Sequence, residues 1–291
     1  MSISAEMVKE LRERTGAGMM ECKRALVESH GDISTAIESM RKAGLAKADK
    51  KAGRIAAEGR IAIAQSDHVS SMVEVNSETD FVANCDDFVK FTADVAGVVL
   101  TRQPNDVQEL MGLPLSDAKS VDTVRRELVA KLGENISVRR CAYIKADKDR
   151  IGAYCHGSRI GVLVEIHGGN SELAKDIAMH VAASKPICVN ADQVPGEILE
   201  REREIIRAQS MGSNKPAAIV EKMIEGKLHK FISESTLLGQ AFVKDQDITV
   251  DKLLAKYDAQ VRRFERYEVG EGIDRKQEDF AAEVMAQARG V

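Results

Sequence analysis

The sequence predicts an α+β fold, and three observations carry that prediction. The first forty-odd residues repeat apolar side chains at helical spacing only. Further along, two runs of alternating apolar residues each fold back at a polar turn and lead into an amphipathic helix. These two strand-strand-helix units are copies of one another: Val73-Glu74-Val75 matches Val164-Glu165-Ile166 in register, 91 positions apart. Hairpins followed by helices, rather than single strands alternating with helices, point to antiparallel sheets.

Residues 4–44 read as three short helices. Met7, Val8 and Leu11 mark the first, and Thr15-Gly16-Ala17-Gly18 breaks it. Met19, Met20, Cys22, Leu26 and Val27 lie on the second, which ends at His30-Gly31. Asp32 is an N-cap for the third, with Ile33, Ala36, Ile37 and Met40 on one face. Arg41 to Arg54 then carries six basic residues against one acid, Asp49, and reads as a helical basic linker with a solvated face.

A hairpin follows over residues 59–76, with its turn at Ser66-Asp67-His68 and a helix from Asp86 bearing Phe88, Val89, Phe91, Val95 and Val98. The second copy has strands at Ile151–Cys155 and Arg159–His167 and a helix at Ser171–Ser184. Phe88 matches Leu173 at an offset of 85, so the first copy holds six extra residues between strand and helix. They fall on Glu78 to Ala83. Beyond the second copy, Pro195–Ser210 and a helix bearing Ile219, Val220, Met223 and Ile224 flank the turn Met211–Pro216. Charged helices with a narrow apolar seam suggest an antiparallel coiled-coil arm, serving either as a dimer contact or as a brace. Thr249 caps a short helix, a strand runs near Val261–Val269, and Lys276–Arg289 has the pattern of an amphipathic C-terminal helix. The expected division is 1–54 for the N-terminal module and linker, 55–140 for the first core subdomain, 141–185 with 229–263 for the second, 186–228 for the arm, and 264–291 for a C-terminal module.

Composition narrows the function. At 291 residues, 44% hydrophobic and 30% charged, the chain has the make-up of a globular protein with more than one domain. It has no apolar run long enough to span a membrane, and its first residues lack the basic start and apolar core of a signal peptide. Five scattered cysteines (Cys22, Cys85, Cys141, Cys155, Cys188) fit neither a disulfide framework nor a zinc site, and reduced thiols in the cytoplasm are the expectation. Residues 1–60 carry 12 Lys and Arg against 9 Asp and Glu, while the remainder carries 30 against 37. A basic head on an acidic body, with 4% aromatic residues and no Trp, argues against direct nucleic-acid binding. No phosphate loop is present, and Gly16-Ala17-Gly18 lacks both the third glycine and the preceding strand of a dinucleotide fingerprint. The histidines form no metal-ligand pattern, no serine elbow exists, and Asp86-Asp87 complement a helix dipole. No cofactor, metal or bond chemistry is expected.

The inserted segment is the most informative stretch. Glu74-Val75-Asn76-Ser77-Glu78-Thr79-Asp80-Phe81-Val82-Ala83-Asn84 leaves a strand and enters a helix, with an aromatic residue beside an acid where a polar turn belongs. Phe81 is either a hydrophobic staple under the next helix or a wedge offered to a partner, and its place in an insertion on a rigid scaffold favours the wedge. Of the adjacent Met19 and Met20, only one can face a small core, so the other is expected at the surface as a contact. His156 sits on the tight turn His156-Gly157-Ser158-Arg159, in the hairpin equivalent to the one preceding Phe81.

These residues resemble the bacterial elongation factor Ts family over nearly the full length. The resemblance rests on Leu11-Arg12-Glu13-Arg14-Thr15-Gly16-Ala17-Gly18-Met19-Met20-Glu21-Cys22-Lys23-Arg24-Ala25-Leu26 and on Glu74 to Val82. His156 to Leu163, Met179 to Ala183 and Glu268 to Ile273 also match. The resemblance implies a guanine-nucleotide exchange factor for the GTPase elongation factor Tu. It also implies a ubiquitin-associated-like (UBA-like) N-terminal module, a duplicated α+β core, a coiled-coil arm and a C-terminal helical module. By the same resemblance, Thr79, Asp80, Phe81 and Val82 press on the magnesium and phosphate end of the nucleotide site. Arg12, Met19, Met20 and His156 match further partner contacts, and a homodimer through the arm giving a 2:2 complex is one arrangement implied. The competing class is a translation-associated protein- or RNA-binding module using the basic linker, which predicts salt-dependent RNA binding and no effect on nucleotide release.

Overall fold

The computed structural model describes residues 3–116, 119–210 and 216–274. The helix expected over Lys276–Arg289 and residues 211–215 of the arm's turn lie outside them. The chain opens with α1 (Ala5–Thr15), α2 (Met19–Glu28) and α3 (Ile33–Lys51). Ser4 caps α1 by accepting from the Met7 amide at 3.2 Å, and Gly16 ends it in the left-handed region at φ 66°. Asp32 caps α3 through the Thr35 amide at 2.6 Å. Val8, Leu11, Cys22, Ala25, Leu26 and Ala36 form their small shared core.

The basic segment from Arg41 to Lys51 is the second half of α3, with Arg41, Lys42 and Lys50 exposed as expected and its other face packed on the core. It lies along α7 (Val121–Leu132), where Arg41 meets Glu127 at 3.7 Å and Asp49 meets Arg126 at 3.6 Å. Lys51 donates to the Gly133 carbonyl, and Ala48 is buried in the core of the first sheet.

That sheet has the order β1-β2-β5, all antiparallel: β1 (Glu58–Gln65), β2 (Val69–Ser77) and β5 (Ser137–Lys145). The second has the order β10-β7-β6: β6 (Arg150–His156), β7 (Ile160–His167) and β10 (Gln260–Glu268). In each, the hairpin's return strand is central, and the third strand arrives from later in the chain. One face of the first sheet packs Val73 and Val75 against Phe88, Phe91, Val95 and Val99 of α5 (Asp86–Arg102). One face of the second packs Val162, Val164 and Ile166 against Leu173, Ile177 and Val181 of α8 (Ser171–Ser184).

The opposite faces meet each other through Ile61, Met72, Ile144, Leu163 and Tyr267. Gly161 permits the approach: a Cβ there would lie 2.5 Å from Ile61 Cγ2 and 2.7 Å from Met72 Sδ. β2 is therefore covered on both sides, and every one of its residues is buried. Its polar groups need internal partners. Ser71 donates to the Ala96 carbonyl at 2.8 Å. The fully buried Glu74 carboxylate accepts from Arg139 (3.1 Å), Arg140 (2.5 Å), Asn76 (3.1 Å) and the Gly270 amide (2.9 Å). Arg140 also stacks 4.2 Å over the Tyr267 ring.

α4 (Asp80–Ala83) lies within the first copy, between β2 and α5; between the two copies lie α6 (Val107–Gly112), the ribbon β3 (Pro114–Ser116) with β4 (Lys119–Ser120), α7 and β5. Residues 141–145, grouped by the sequence with the second subdomain, belong to β5 and pair with β2, because Cys141 and Ile144 continue the alternation of a strand begun at Ser137. Beyond α8, α9 (Gly196–Ser210) and α10 (Ala217–Ser235) pack through Ile206, Ile224 and Leu228, and α10 runs past the expected arm limit at 228. A ribbon of β8 (Ala241–Phe242) and β9 (Asp245–Thr249) precedes α11 (Val250–Lys256), capped by Thr249 as expected. β10 runs through the expected boundary at 263/264.

Candidate functional site

Phe81 is 85% exposed. The staple alternative is thereby excluded, since a staple ring would be covered by the following helix. The segment around it is nevertheless well held. Thr79 caps α4, its hydroxyl oxygen accepting from the Val82 amide at 3.4 Å. The same hydroxyl donates to Glu134 Oε1 at 2.6 Å, and the Thr79 amide donates to Glu134 Oε2 at 3.0 Å. Glu78 accepts from the Asn135 amide at 2.6 Å. Arg60 donates to the Ala83 carbonyl at 3.1 Å, and Asn84 reaches back to the Asp80 carbonyl at 2.8 Å. Val82 is half-buried against the core of the first sheet. Asp80 and Phe81, the two residues between the anchors, face solvent.

The second hairpin brings His156 to the same end of the first sheet. β6 closes at His156, Gly157 turns at φ 58°, and Arg159 pairs with Glu58 at 2.6 Å. The Ser158 carbonyl accepts from the Ile61 amide at 2.8 Å. Glu58 is the register partner of Ser77, the last residue of β2, so the His156 turn is fastened beside the strand end from which the Phe81 segment departs. His156 itself is exposed, with Nδ1 3.3 Å from the Tyr154 hydroxyl.

Met19 and Met20 are both exposed, at 59% and 76%. The expectation of one buried methionine fails because Cys22, Ala25 and Leu26 already fill the face of α2 that meets its neighbours. Arg12 is exposed in the last turn of α1. The loop between α1 and α2 approaches the core where a Cβ on Gly16 would lie 3.0 Å from Lys131 Cε. Lys131 in turn pairs with Asp87, in the first turn of α5, at 2.7 Å.

The surface offered by these residues is apolar points (Phe81, Met19, Met20) among charges. Among the described residues no group of three or more His, Cys, Asp or Glu could hold a metal ion, and no helix is long and apolar enough to cross a membrane. The sequence reading missed Glu134 and Asn135. Only the pattern Gly133-Glu134-Asn135 after a helix end hinted at a turn, and nothing local pointed to partners 55 and 57 residues away.

Comparison with known proteins gives consistent matches. A sequence profile of the family described as elongation factor TS matches residues 78–271. The chain is 58% identical over 291 residues to a protein named elongation factor Ts from Methylococcus capsulatus, covering 99% of each chain. It is 59% identical over 293 residues to one of that name from Thioalkalivibrio sulfidiphilus, covering 100% of each. A third, from Legionella pneumophila, is 55% identical over 290 residues and 99% of each chain.

Proposed function

We propose how the chain acts from one premise: it belongs to the elongation factor Ts family and is a guanine-nucleotide exchange factor of translation elongation. Its partner is the GTPase elongation factor Tu in the GDP-bound state. Phe81 enters a pocket beside the phosphate end of the nucleotide site, and Asp80 disturbs the water shell of the partner's magnesium ion. GDP leaves, and incoming GTP displaces the exchange factor.

Exchange of this kind breaks no bond. It requires the factor to bind the nucleotide-free GTPase better than the nucleotide-bound one. Coupling is reciprocal, so the nucleotide that rebinds weakens the factor's hold by the same ratio. Burying a phenylalanine side chain is worth roughly 1.5–3 kcal/mol. At about 1.4 kcal/mol per factor of ten, that supplies about one to two powers of ten in release rate. The remainder must come from anchoring contacts, for which Arg12, Met19, Met20 and His156 are the candidates.

The observation that carries this reading is the exposed aromatic ring of Phe81 on a segment otherwise fixed by hydrogen bonds at both ends. The three-helix unit with its small core supports a UBA-like module, and the seam of Ile206, Ile224 and Leu228 supports a coiled-coil arm, through which two copies would give a 2:2 complex. The proposed division follows the ranges 1–54, 55–140, 141–185 with 229–263, 186–228 and 264–291, with the three boundaries that fall inside β5, α10 and β10 moved to the ends of those elements, and with action in the cytoplasm and no cofactor. The test is stopped-flow release of fluorescent GDP from elongation factor Tu, with the chain and with Phe81→Ala. Fast release by the parent and slower release by the variant are expected. No acceleration by the parent would overturn the reading.

A further inference from the structure

α4 is a single turn, too short to be stable by itself, and the ring it presents gains nothing from burial in the free protein. Something outside the segment has to set its geometry before a partner arrives. The structure assigns that role to Glu134, on the loop between α7 and β5.

Glu134 uses both carboxylate oxygens on one residue, Thr79: one takes the backbone amide and the other the hydroxyl proton. With that proton committed, a lone pair of the Thr79 hydroxyl is turned toward the Val82 amide, the bond that starts α4. A reciprocal bond runs the other way, from the Asn135 amide to Glu78, so residues 78–79 and 134–135 grip each other through two adjacent pairs. Asn135 also donates to the Arg54 carbonyl at 2.7 Å, just past the end of α3. The clamp thus refers the position of Phe81 both to the first sheet and to the helix that carries the N-terminal module.

We infer that Glu134 is a positioning residue for nucleotide exchange: it pre-orders Thr79 so that Phe81 meets the GTPase already in its working orientation. The inference rests on the reading of Phe81 as the wedge. Pre-ordering sets the fraction of anchored factor whose ring is in its working orientation, and a fall in that fraction within the complex lowers the maximal release rate in proportion.

The experiment is stopped-flow release of fluorescent GDP from elongation factor Tu over a range of factor concentrations. The full chain is compared with Glu134→Ala, Glu134→Gln, Phe81→Ala and the double variant Phe81→Ala/Glu134→Ala. Circular dichroism and thermal melting check that each variant is folded. Glu134→Ala is expected to lower the maximal release rate about five- to tenfold. Glu134→Gln, which keeps one acceptor oxygen, is expected to recover part of that loss. In the Phe81→Ala background, removing Glu134 is expected to add less than twofold, because the residue acts through the ring. A slow Phe81→Ala with a normal Glu134→Ala would overturn the positioning role and leave the wedge intact. Additive losses in the double variant would overturn it too. If Phe81→Ala releases GDP at the parent rate, it is the wedge reading that fails, and the positioning role falls with it. Should Glu134→Ala not fold, Glu134→Gln carries the same comparison.

Discussion

Arg159 reaches back 101 residues to place its guanidinium 2.6 Å from the carboxylate of Glu58. The turn that carries His156 is thereby tied to the strand that pairs with the departure point of the Phe81 segment. The pair is half in water, so its contribution to stability is small, about 0–1 kcal/mol. Arg159→Ala is expected to leave the melting temperature within a few degrees of the parent. If the turn contributes to partner binding, the factor concentration needed for half-maximal GDP release rises several-fold, which titration of the release rate measures.

Phe81→Ala separates function from folding. With the ring exposed, its removal leaves no cavity, and urea unfolding is expected to match the parent within about 0.5 kcal/mol. GDP release at saturating factor is expected to fall by about one to two powers of ten, the worth of burying the ring in the partner.

Met19→Ala with Met20→Ala tests the N-terminal contact. Both side chains are exposed, so stability is expected to hold while affinity for elongation factor Tu falls at least tenfold, corresponding to about 1.4 kcal/mol. Isothermal titration with the nucleotide-free GTPase checks it, and an unchanged affinity would remove these residues from the interface.

Glu74→Gln tests the buried charge. The substitution takes the paired carboxylate charge from Arg139 and leaves Arg140 only its longer pair with Glu271, at 3.5 Å. Removing one partner of a buried pair costs about 3–5 kcal/mol, and the partial solvent access of the two arginines places this case at the lower end of that range. A drop of the urea midpoint is expected, with an unchanged slope.

His180 gives stability a dependence on pH. The ring is buried in α8, where Nδ1 accepts from the Val243 amide at 3.2 Å and Nε2 donates to the Gln240 side chain at 3.0 Å. Burial holds its pKa below the usual value, against an opposing pull from the Gln240 hydrogen bond. The unfolded chain takes up the proton first, so the contribution is present above pH of about 6.5 and is lost as pH falls through the lowered folded value. Glu268 and Glu271 are held below the carboxylate range. For Glu268 the Arg266 hydrogen bond leads; for Glu271 burial pushes upward and is outweighed by Lys185, Arg140 and Arg266 acting together. Their losses come at more acid pH, below about 4.5. Unfolding free energies measured between pH 7 and 5 should fall for the parent and fall less for His180→Gln.

Both hairpins and their helices were legible because alternating Ile61, Ile63, Val73 and Val75 changes to helical spacing at Phe88, with polar turns between. The α+β class followed from that pattern. β5 was not legible. Its centre, Arg139-Arg140, looks like solvent-facing sequence until Glu74 is known to lie against it, and that fact belongs to tertiary structure. α7 was readable in principle, since Val121, Leu128 and Val129 fall on one buried face. The exposure of Phe81 was foreshadowed by the six-residue insertion, whereas the Glu134 clamp depends wholly on long-range folding.

The Glu74 carboxylate and the Gly270 amide are 196 residues apart in sequence. At 5–20 residues per second, a ribosome needs roughly 10–40 s to make the chain between them. Throughout that time the Glu74 carboxylate, though held by Asn76, Arg139 and Arg140, lacks the fourth of its donors, and β7, once made, waits with one edge open for β10. β10 and the Gly270 turn just after it supply the missing edge and the fourth donor, so the finished core is a product of the last stages of synthesis. Truncation shortly before β10 should therefore yield a nascent chain that engages chaperones, rather than one merely lacking a tail.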